Sequence, residues 1–321
     1  MFRSLSLITL GLCLVVGTSS RSISAAELFG LAPGTLEFKS VGPMAFGPSG
    51  VLFVGDPKAA KVYAINTNDK KTSTDARYEI EDFAEACAKA IGAEEVTIAD
   101  LIVNPETGNA FTSLSAGDEF AIVKVTPDGS LTPLELEKIG HSFVTLPEPP
   151  EDKLVQRRRR SVNARDSSIT DLAYMSGRVL VSGLAAGDSP SSVREFDFPF
   201  NEQAKGFRVE IFHGAHGKNE DHAPIQTFVP FNIDGEPSLL AGYQCTPLVK
   251  IPVAGNEEGG KVKGTTVAEL GNRNRPLDMI VYQQNGADYL LLANSDRGVM
   301  KITTENIAEN QGLTERVSRG E

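Results

Sequence analysis

Residues 51–66 read VLFVGDPKAAKVYAIN, and residues 289–303 read YLLLANSDRGVMKIT. Each stretch holds an apolar run, a turn rich in Gly, Asp, Asn or Pro, and a second apolar run, which is typical of paired β-strands. A further apolar run precedes each, so one repeat contains three short strands. The pattern recurs in five segments, which are 44–65, 101–125, 172–196, 228–251 and 279–302. Repeats of this size predict an all-β fold, a β-propeller with five recognisable blades.

The spacing of the repeats leaves the number of blades open between five and seven. A fourth strand is predicted after three of the repeats, at residues 134–139, 207–212 and 265–270. Residues 36–40 are a candidate strand that would complete the last blade, because closing the ring removes exposed sheet edges.

Two insertions interrupt the repeats. Residues 80–92 are predicted to contain one short helix, because Phe83, Cys87, Ala90 and Ile91 fall on one helical face. Residues 146–168 combine three prolines with the basic run 157–160, which predicts an exposed, mobile loop.

The first 26 residues have the layout of a cleaved secretory signal. A basic Arg3 precedes an apolar stretch at residues 5–17, and Ser24-Ala25-Ala26 offers small residues before Glu27. The apolar stretch is too short to span a bilayer. We therefore expect residues 27–321 to form a single secreted or periplasmic domain, with no membrane span.

The charge restricts the choice of partners. The net charge of −11 becomes −13 without residues 1–26, because Arg3 and Arg21 are lost and no acidic residue is. Such a surface repels phosphate backbones, so nucleic acid is not an expected partner. A protein or small-molecule ligand is expected instead, with the protein itself monomeric.

Two cysteines, Cys87 and Cys245, lie outside the signal segment. An oxidising compartment would permit a disulfide. The two residues lie in different repeats, so two free thiols and one disulfide both remain open, the free thiols being favoured by the strict geometry a disulfide needs.

Three aspartates occupy the same position at the start of the first strand of a repeat: Asp100, Asp171 and Asp278. The innermost strands of a propeller line its central channel, so these carboxylates are expected to converge at the channel mouth. Converging carboxylates need a cation, protonation or backbone N–H partners. Two interpretations remain open: each Asp caps its own turn, or the three form a shared site that holds one divalent cation such as calcium, magnesium, manganese or zinc.

The loops that join the second and third strands reach the same face. They contribute Asn294, Asp296 and Arg297, and Arg275 precedes the fifth repeat. An Arg beside carboxylates is either a structural partner or an anchor for an anionic ligand. We therefore include these four residues in the candidate ligand-binding face.

A histidine cluster lies in the connection HGAHGKNEDH, residues 213–222. His213, His216 and His222 have spacings that resemble those of metal ligands, and imidazole suits zinc, copper or iron. The intervening Gly214 and Gly217 predict a flexible turn, so turn histidines without a metal are the alternative.

Common catalytic motifs are absent from the sequence. It has no Gly-x-Ser-x-Gly elbow, phosphate-binding loop, Gly-x-Gly-x-x-Gly segment or Cys-x-x-Cys pair. No catalytic residue can be named from motifs.

The segments quoted first resemble propellers of the NHL and SMP-30/gluconolactonase-like kind. The chain also resembles a group of secreted bacterial propeller-like proteins of unassigned activity, through blocks such as SSITDLAY (167–174), EIFHGAHG (210–217) and AELGNRNRPLDMIVY (268–282). The second resemblance implies no reaction. The resemblance to the SMP-30/gluconolactonase-like kind implies a divalent cation held in the channel mouth by carboxylate and amide groups. Residues at equivalent positions are Asp100, Asp171, Asp278 and Asn294. The glutamate expected in the first blade is replaced by the Gly42-Pro43 region.

The sequence thus favours a secreted propeller that binds a ligand or protein through its loop-rich face, since recognition commonly lies on loops of a rigid scaffold. The alternative is a metal-dependent hydrolase of lactonase type, in which a cation polarises a carbonyl and activates water. Electron transfer through copper or iron at the histidines is a third, weaker hypothesis.

Overall fold

The computed structural model describes residues 28–70, 77–157, 160–201, 203–244, 247–253, 259–271 and 273–317. The signal segment 1–26, Cys245 and part of the basic run 157–160 lie outside them. The first half of the described chain forms strands β1 (Ala32–Gly34), β2 (Met44–Phe46), β3 (Val51–Asp56), β4 (Lys61–Asn66), β5 (Thr97–Val103), β6 (Ala110–Ala116), β7 (Glu119–Val125), β8 (Leu131–Pro133), β9 (Ile139–Thr145), β10 (Leu154–Arg157) and β11 (Arg160–Asn163). The second half forms β12 (Asp171–Met175), β13 (Arg178–Leu184), β14 (Ser191–Asp197), β15 (Ala204–His213), β16 (Lys218–Glu220), β17 (Ile225–Ile233), β18 (Glu236–Tyr243), β19 (Pro247–Pro252), β20 (Lys261–Glu269), β21 (Pro276–Gln284), β22 (Ala287–Asn294) and β23 (Gly298–Thr303).

Five antiparallel sheets in the described residues form the body of the molecule. Sheet I contains β2, β3, β4, β9 and β1 in that order; sheet II contains β5–β8; sheet III contains β12–β15; sheet IV contains β17–β20; and sheet V contains β21–β23. The first strands of the five sheets are β2, β5, β12, β17 and β21, the strands on which the five sequence repeats begin. Sheets III and IV also meet through a parallel pairing of β15 with β20.

Short turns connect the first two strands of three sheets. Ser176-Gly177, Asp234-Gly235 and Asn285-Gly286 each place two residues at positive φ between β12 and β13, β17 and β18, and β21 and β22. Two consecutive positive φ angles define the hairpin turn that matches the twist of its strands, and Asn-Gly and Asp-Gly are its preferred sequences. The turn residues of the repeats therefore fix the hairpins.

The apolar core lies between neighbouring sheets. Phe53 and Val181 belong to a cluster that joins sheets I and III, and Val209 and Leu239 to one that joins sheets III and IV. Corresponding clusters join sheets I and II, and IV and V. The spatial order is therefore II, I, III, IV, V, which is the face-to-face packing of a β-propeller. Among the described residues, no such cluster joins sheets II and V.

The predicted helix is present as α1 (Phe83–Ile91). Asp82 caps its first turn by accepting a hydrogen bond from the Glu85 N–H (2.9 Å), and Gly92 ends it in the left-handed conformation. Cys87 is a free, buried thiol that packs with Leu114 and other apolar residues of sheet II. Helix α1 thus covers the side of sheet II that faces away from sheet I. No helix among the described residues combines the length and apolar character needed to cross a membrane.

Three sequence expectations need correction. Residues 134–139 do not form the fourth strand of sheet II: β8 takes that place, and β9, which begins at Ile139, crosses back to pair with β4 of sheet I. Residues 36–40 do not extend the last sheet, because the Lys39 N–H and the Ser40 hydroxyl both donate to buried Asp56 of sheet I. Within 146–168, expected to be a loop, β10 and β11 form a hairpin, followed by a short 3-10 turn (Ala164–Ser167).

Candidate functional site

Bulges place three equivalent side chains at the channel mouth. The pairing of the first two strands shifts register by one residue just before Asp100 in sheet II, Thr227 in sheet IV and Asp278 in sheet V. A bulge bends the strand and re-aims the next side chain. In sheet III the equivalent Asp171 is the first residue of β12.

Asp100 and Asp171 each link two neighbouring sheets. One Asp100 oxygen accepts the Leu101 N–H (2.7 Å), and the other accepts the N–H of Met44 on β2 (2.6 Å). Asp171 repeats the arrangement with its own neighbour Leu172 (2.7 Å) and with Phe228 on β17 (2.6 Å). Each of these two carboxylates thus binds the N–H of the residue that follows it, and the second bond adds a tie between sheets.

The three aspartates lie close enough to affect one another's ionisation. Desolvation, partly offset by the Met44 N–H and increased by Asp278, raises the pKa of Asp100 to about 7. Burial raises the pKa of Asp171 well above its ordinary value, and the charges of Asp100 and Asp278 add to the effect. Desolvation therefore favours the protonated forms of Asp100 and Asp171.

Asp278 differs from the other two. It accepts the N–H of its own neighbour Met279 (2.6 Å) and, within the described part of the chain, makes no second bond to a neighbouring sheet. It is solvent-exposed, although partial desolvation in the channel still raises its pKa. One carboxylate oxygen at the channel mouth therefore remains available to a ligand.

Several buried polar groups on β17, on β22 and in the connection before β21 have no hydrogen-bond partner among the described residues. Asn274 is 1% exposed, and both polar atoms of its side chain are unpartnered; the Nδ2 of Asn294 and the hydroxyl of Thr227 are unpartnered as well. Such groups usually bind water or a ligand, because burying them unpaired costs about 1–3 kcal/mol each.

The strands bring these groups to the same end of sheets IV and V. Pro276 pairs with Asn294 across β21 and β22. A side chain added at Gly242 of β18 would touch both Pro276 and Thr227, so little space separates the two sheets there.

The remaining predicted residues surround this region. Asn294 accepts the N–H groups of Asp296 (3.0 Å) and Arg297 (3.2 Å) through Oδ1 and so shapes the loop between β22 and β23. Arg275 and Ser295 exchange two hydrogen bonds through the Arg275 backbone. The Arg297 guanidinium lies against Gly271. Arg275, Asp296 and Arg297 are exposed, and no ion pair links either arginine to an acidic residue within the described ranges.

The histidines have a different arrangement from the expected one. His213 and His216 lie with their ring centroids 3.9 Å apart, and both Nδ1 atoms contact the carboxylate of Glu220, at 2.9 and 2.8 Å. His222 is exposed and does not belong to the group. Glu220, and not His222, therefore lies beside the two histidines, because β16 folds back along β15 and brings residue 220 beside residue 211.

Burial lowers the pKa of His213, which favours its neutral form. Burial would raise the pKa of Glu220, but hydrogen bonds from His213, His216 and Lys218 lower it below its usual value. The group thus combines a neutral buried imidazole with an ionised carboxylate.

The sequence search missed Asn274, Thr227 and Glu220. Asn274 and Thr227 stand out only by burial without partners, which no sequence pattern records. Glu220 has a usable signal: seven residues after His213 and beyond two glycines, a returning strand would bring it back to the histidines.

No protein-family model matches the chain, and a search of curated proteins finds no match. Similar solved structures include a chain of a mitotic checkpoint complex, which is 10% identical and has a TM-score of 0.37, with 92% of this chain and 99% of that chain covered. They also include an ancestral GH74 enzyme, which is 12% identical with a TM-score of 0.30, with 87% of this chain and 44% of that chain covered. Virginiamycin B lyase from Staphylococcus aureus is 12% identical with a TM-score of 0.16, with 87% of this chain and 74% of that chain covered. Likenesses this distant carry no argument about function, so the β-propeller assignment rests on the sheet order and the cores between the sheets.

Proposed function

We propose that this protein is a secreted binding scaffold, which recognises a polar small molecule or a polar protein segment through the channel-mouth face of its propeller. The ligand would offer both hydrogen-bond donors and acceptors. Asp278 supplies a carboxylate oxygen, Asn274 an amide, and the exposed Arg275 and Arg297 supply positive charge at the rim. The layout of residues 1–26 supports secretion.

One observation carries the proposal: the side chain of Asn274 is buried and both of its polar atoms are unpartnered among the described residues. An amide in this state contributes nothing to the stability of the free protein and is available to pair with a ligand. Asn274 lies four residues before Asp278, in the connection that leads into β21, which supports a site shared with that carboxylate.

The lactonase-type hydrolase is less well supported by this geometry. It requires Asp100, Asp171 and Asp278 to hold one calcium, magnesium, manganese or zinc ion, as the SMP-30-like resemblance implies. All four carboxylate oxygens of Asp100 and Asp171 already accept backbone N–H groups, and desolvation favours protonation of both. A cation would have to compete with these protons.

The binding proposal is tested with Asn274→Leu, which replaces the amide oxygen and nitrogen by methyl groups and keeps the number of side-chain heavy atoms. A thermal-shift screen of amines, amino acids, dipeptides and sugars identifies a probe, and isothermal titration calorimetry then compares the variants. We expect Asn274→Leu to leave the melting temperature unchanged or raised and to weaken probe binding at least tenfold, because unpaired buried amides do not stabilise the fold.

The control is Asp234→Asn, at the turn between β17 and β18, where Asp234 is exposed and has a positive φ that Asn tolerates. It should bind the probe like the wild type. Strong destabilisation by Asn274→Leu, or unchanged binding, would contradict the proposal. Metal analysis of the dialysed wild type and of Asp171→Asn tests the hydrolase: about one hard cation per chain, lost in the variant, would favour it.

A further inference from the structure

The turn between β15 and β16 is closed by several backbone hydrogen bonds. The His213 carbonyl accepts the N–H groups of His216 (3.1 Å) and Gly217 (2.8 Å). From the other side, Val317 donates its N–H to the Gly214 carbonyl (3.0 Å). A fixed backbone of this kind can hold side chains in one geometry, which a metal site requires.

Pairing of the two strands brings three ligand atoms together. Residue 220 pairs with residue 211, two positions before His213 on the same face of β15. The nitrogen and oxygen ligand atoms of His213, His216 and Glu220 lie within 4.8 Å of one another. Ligand atoms of a tetrahedral zinc ion, at bond lengths of about 2.0–2.1 Å, are roughly 3.3 Å apart. Small side-chain rotations therefore suffice to close the set around an ion.

Burial and access fit a bound ion. His213 is 4% exposed and Glu220 is 7% exposed, whereas the His216 side chain is 49% exposed and leaves a path from solvent. The Nε2 atom of His213 is buried and has no partner among the described residues. A simple clip between two histidines and a glutamate gives no reason for an unpartnered imidazole nitrogen, since buried polar atoms are rarely left unpaired.

A second carboxylate adds negative charge to the group. Glu269 is 2% exposed; one of its oxygens accepts the Ala215 N–H (3.2 Å), and the other is buried without a partner in the described ranges. Among the described residues, Lys218 contacts Glu220 at 3.3 Å through a side chain that is 63% exposed. Two buried carboxylates beside two imidazoles favour a divalent cation.

We propose that His213, His216 and Glu220 bind one divalent transition-metal ion of the zinc class, with Glu269 supporting the turn beneath it. Two imidazoles and one carboxylate form a three-ligand set that leaves a fourth position open. Nitrogen-rich sets select zinc, copper or nickel over calcium or magnesium. This site shares no residue with the proposed ligand-binding set, so its test is independent of the proposed binding function.

The test uses the full chain after dialysis against a chelator, titrated with zinc chloride by calorimetry and with cobalt chloride by visible absorption. We expect one ion per chain and a tetrahedral cobalt spectrum. His216→Ala and Glu220→Gln should each weaken zinc binding by about tenfold or more. Calcium chloride should give no saturable heat at this site.

His222→Ala and His141→Ala are matched controls, because His222 lies outside the group and His141 lies on β9 with its Nδ1 near the Ile139 carbonyl. Both should bind zinc within twofold of the wild type. Since His216 is half-exposed, its alanine variant should keep the wild-type circular dichroism spectrum, which separates lost ligation from lost folding. Absence of stoichiometric zinc in the wild type, or equal losses in His222→Ala and His216→Ala, would overturn the proposal.

Discussion

Asp171 shows how one carboxylate can fix two neighbouring sheets. Its two oxygens accept backbone N–H groups from β12 and β17. We expect Asp171→Ala to lower the free energy of unfolding by about 2–4 kcal/mol, because two N–H groups lose their partner. Urea unfolding measures the change. Asp296→Ala, at an exposed position, is the control and should cost less than about 0.5 kcal/mol.

Asp100 predicts a pH dependence. Its pKa is raised from 3.8 to about 7 in the folded protein. At a pH between these two values, the folded state therefore holds a proton that the unfolded state has released. The stability that this proton contributes is present below pH 4 and is lost as the pH rises through 7. The melting temperature should therefore fall between pH 6 and pH 8, by several degrees, since one pKa unit is worth about 1.4 kcal/mol.

The comparison with Asp100→Asn isolates this effect from other titrating groups. The asparagine cannot titrate, so the melting temperature of the variant should fall less between pH 6 and pH 8 than that of the wild type. A loss of stability that is the same at every pH does not affect this comparison. Asp296→Asn should keep the wild-type dependence of the melting temperature on pH. Parallel pH profiles for Asp100→Asn and the wild type would show that Asp100 is ionised throughout this range.

The sequence identified these aspartates but not their bonds. Their shared position in three repeats predicted convergence on the channel. The tie from Asp100 to Met44, or from Asp171 to Phe228, depends on how one sheet is set against the next, which no local pattern encodes. The same reason explains why Asn274 was missed and why His222 was preferred to Glu220.

At the scale of elements, local patterns predicted well and long-range pairing did not. Helix α1 follows from its apolar periodicity, and the hairpins follow from their Gly-containing turns. Strand β9 was missed because its partner β4 lies more than 70 residues earlier, across the whole of sheet II. A strand's apolar pattern shows that it pairs but not with which partner.

The helix supplies a prediction of its own. Asp82→Ala removes the acceptor for the Glu85 N–H and should cost about 1 kcal/mol, the usual effect of losing an N-terminal cap. Glu81→Ala, one residue earlier and outside the helix, should have almost no effect. Thermal unfolding followed by circular dichroism compares the two. Equal effects would mean that the cap does not contribute to stability.

At the scale of the whole molecule, sheet V is packed on one side. Met279, Leu290 and Leu292 are at most 4% exposed and form the core shared with sheet IV. On the opposite face, Ile280 is 52% exposed and Val299 is 72% exposed. This is the side on which Asp278 lacks the bond to a neighbouring sheet that Asp100 and Asp171 both make.

The uneven packing predicts opposite outcomes for substitutions on the two faces. Ile280→Thr and Val299→Thr should each change the free energy of unfolding by less than about 0.5 kcal/mol, because nothing in the described chain covers them. Leu292→Ala should cost about 2–5 kcal/mol, because it opens a cavity in the core. Urea unfolding measures all three, and sedimentation velocity on the same samples reports self-association.

A loss above about 2 kcal/mol for Val299→Thr would mean that this face is covered in solution. If a sedimenting dimer dissociated in the same variant, a second copy would be the cover and the expectation of a monomer would be wrong.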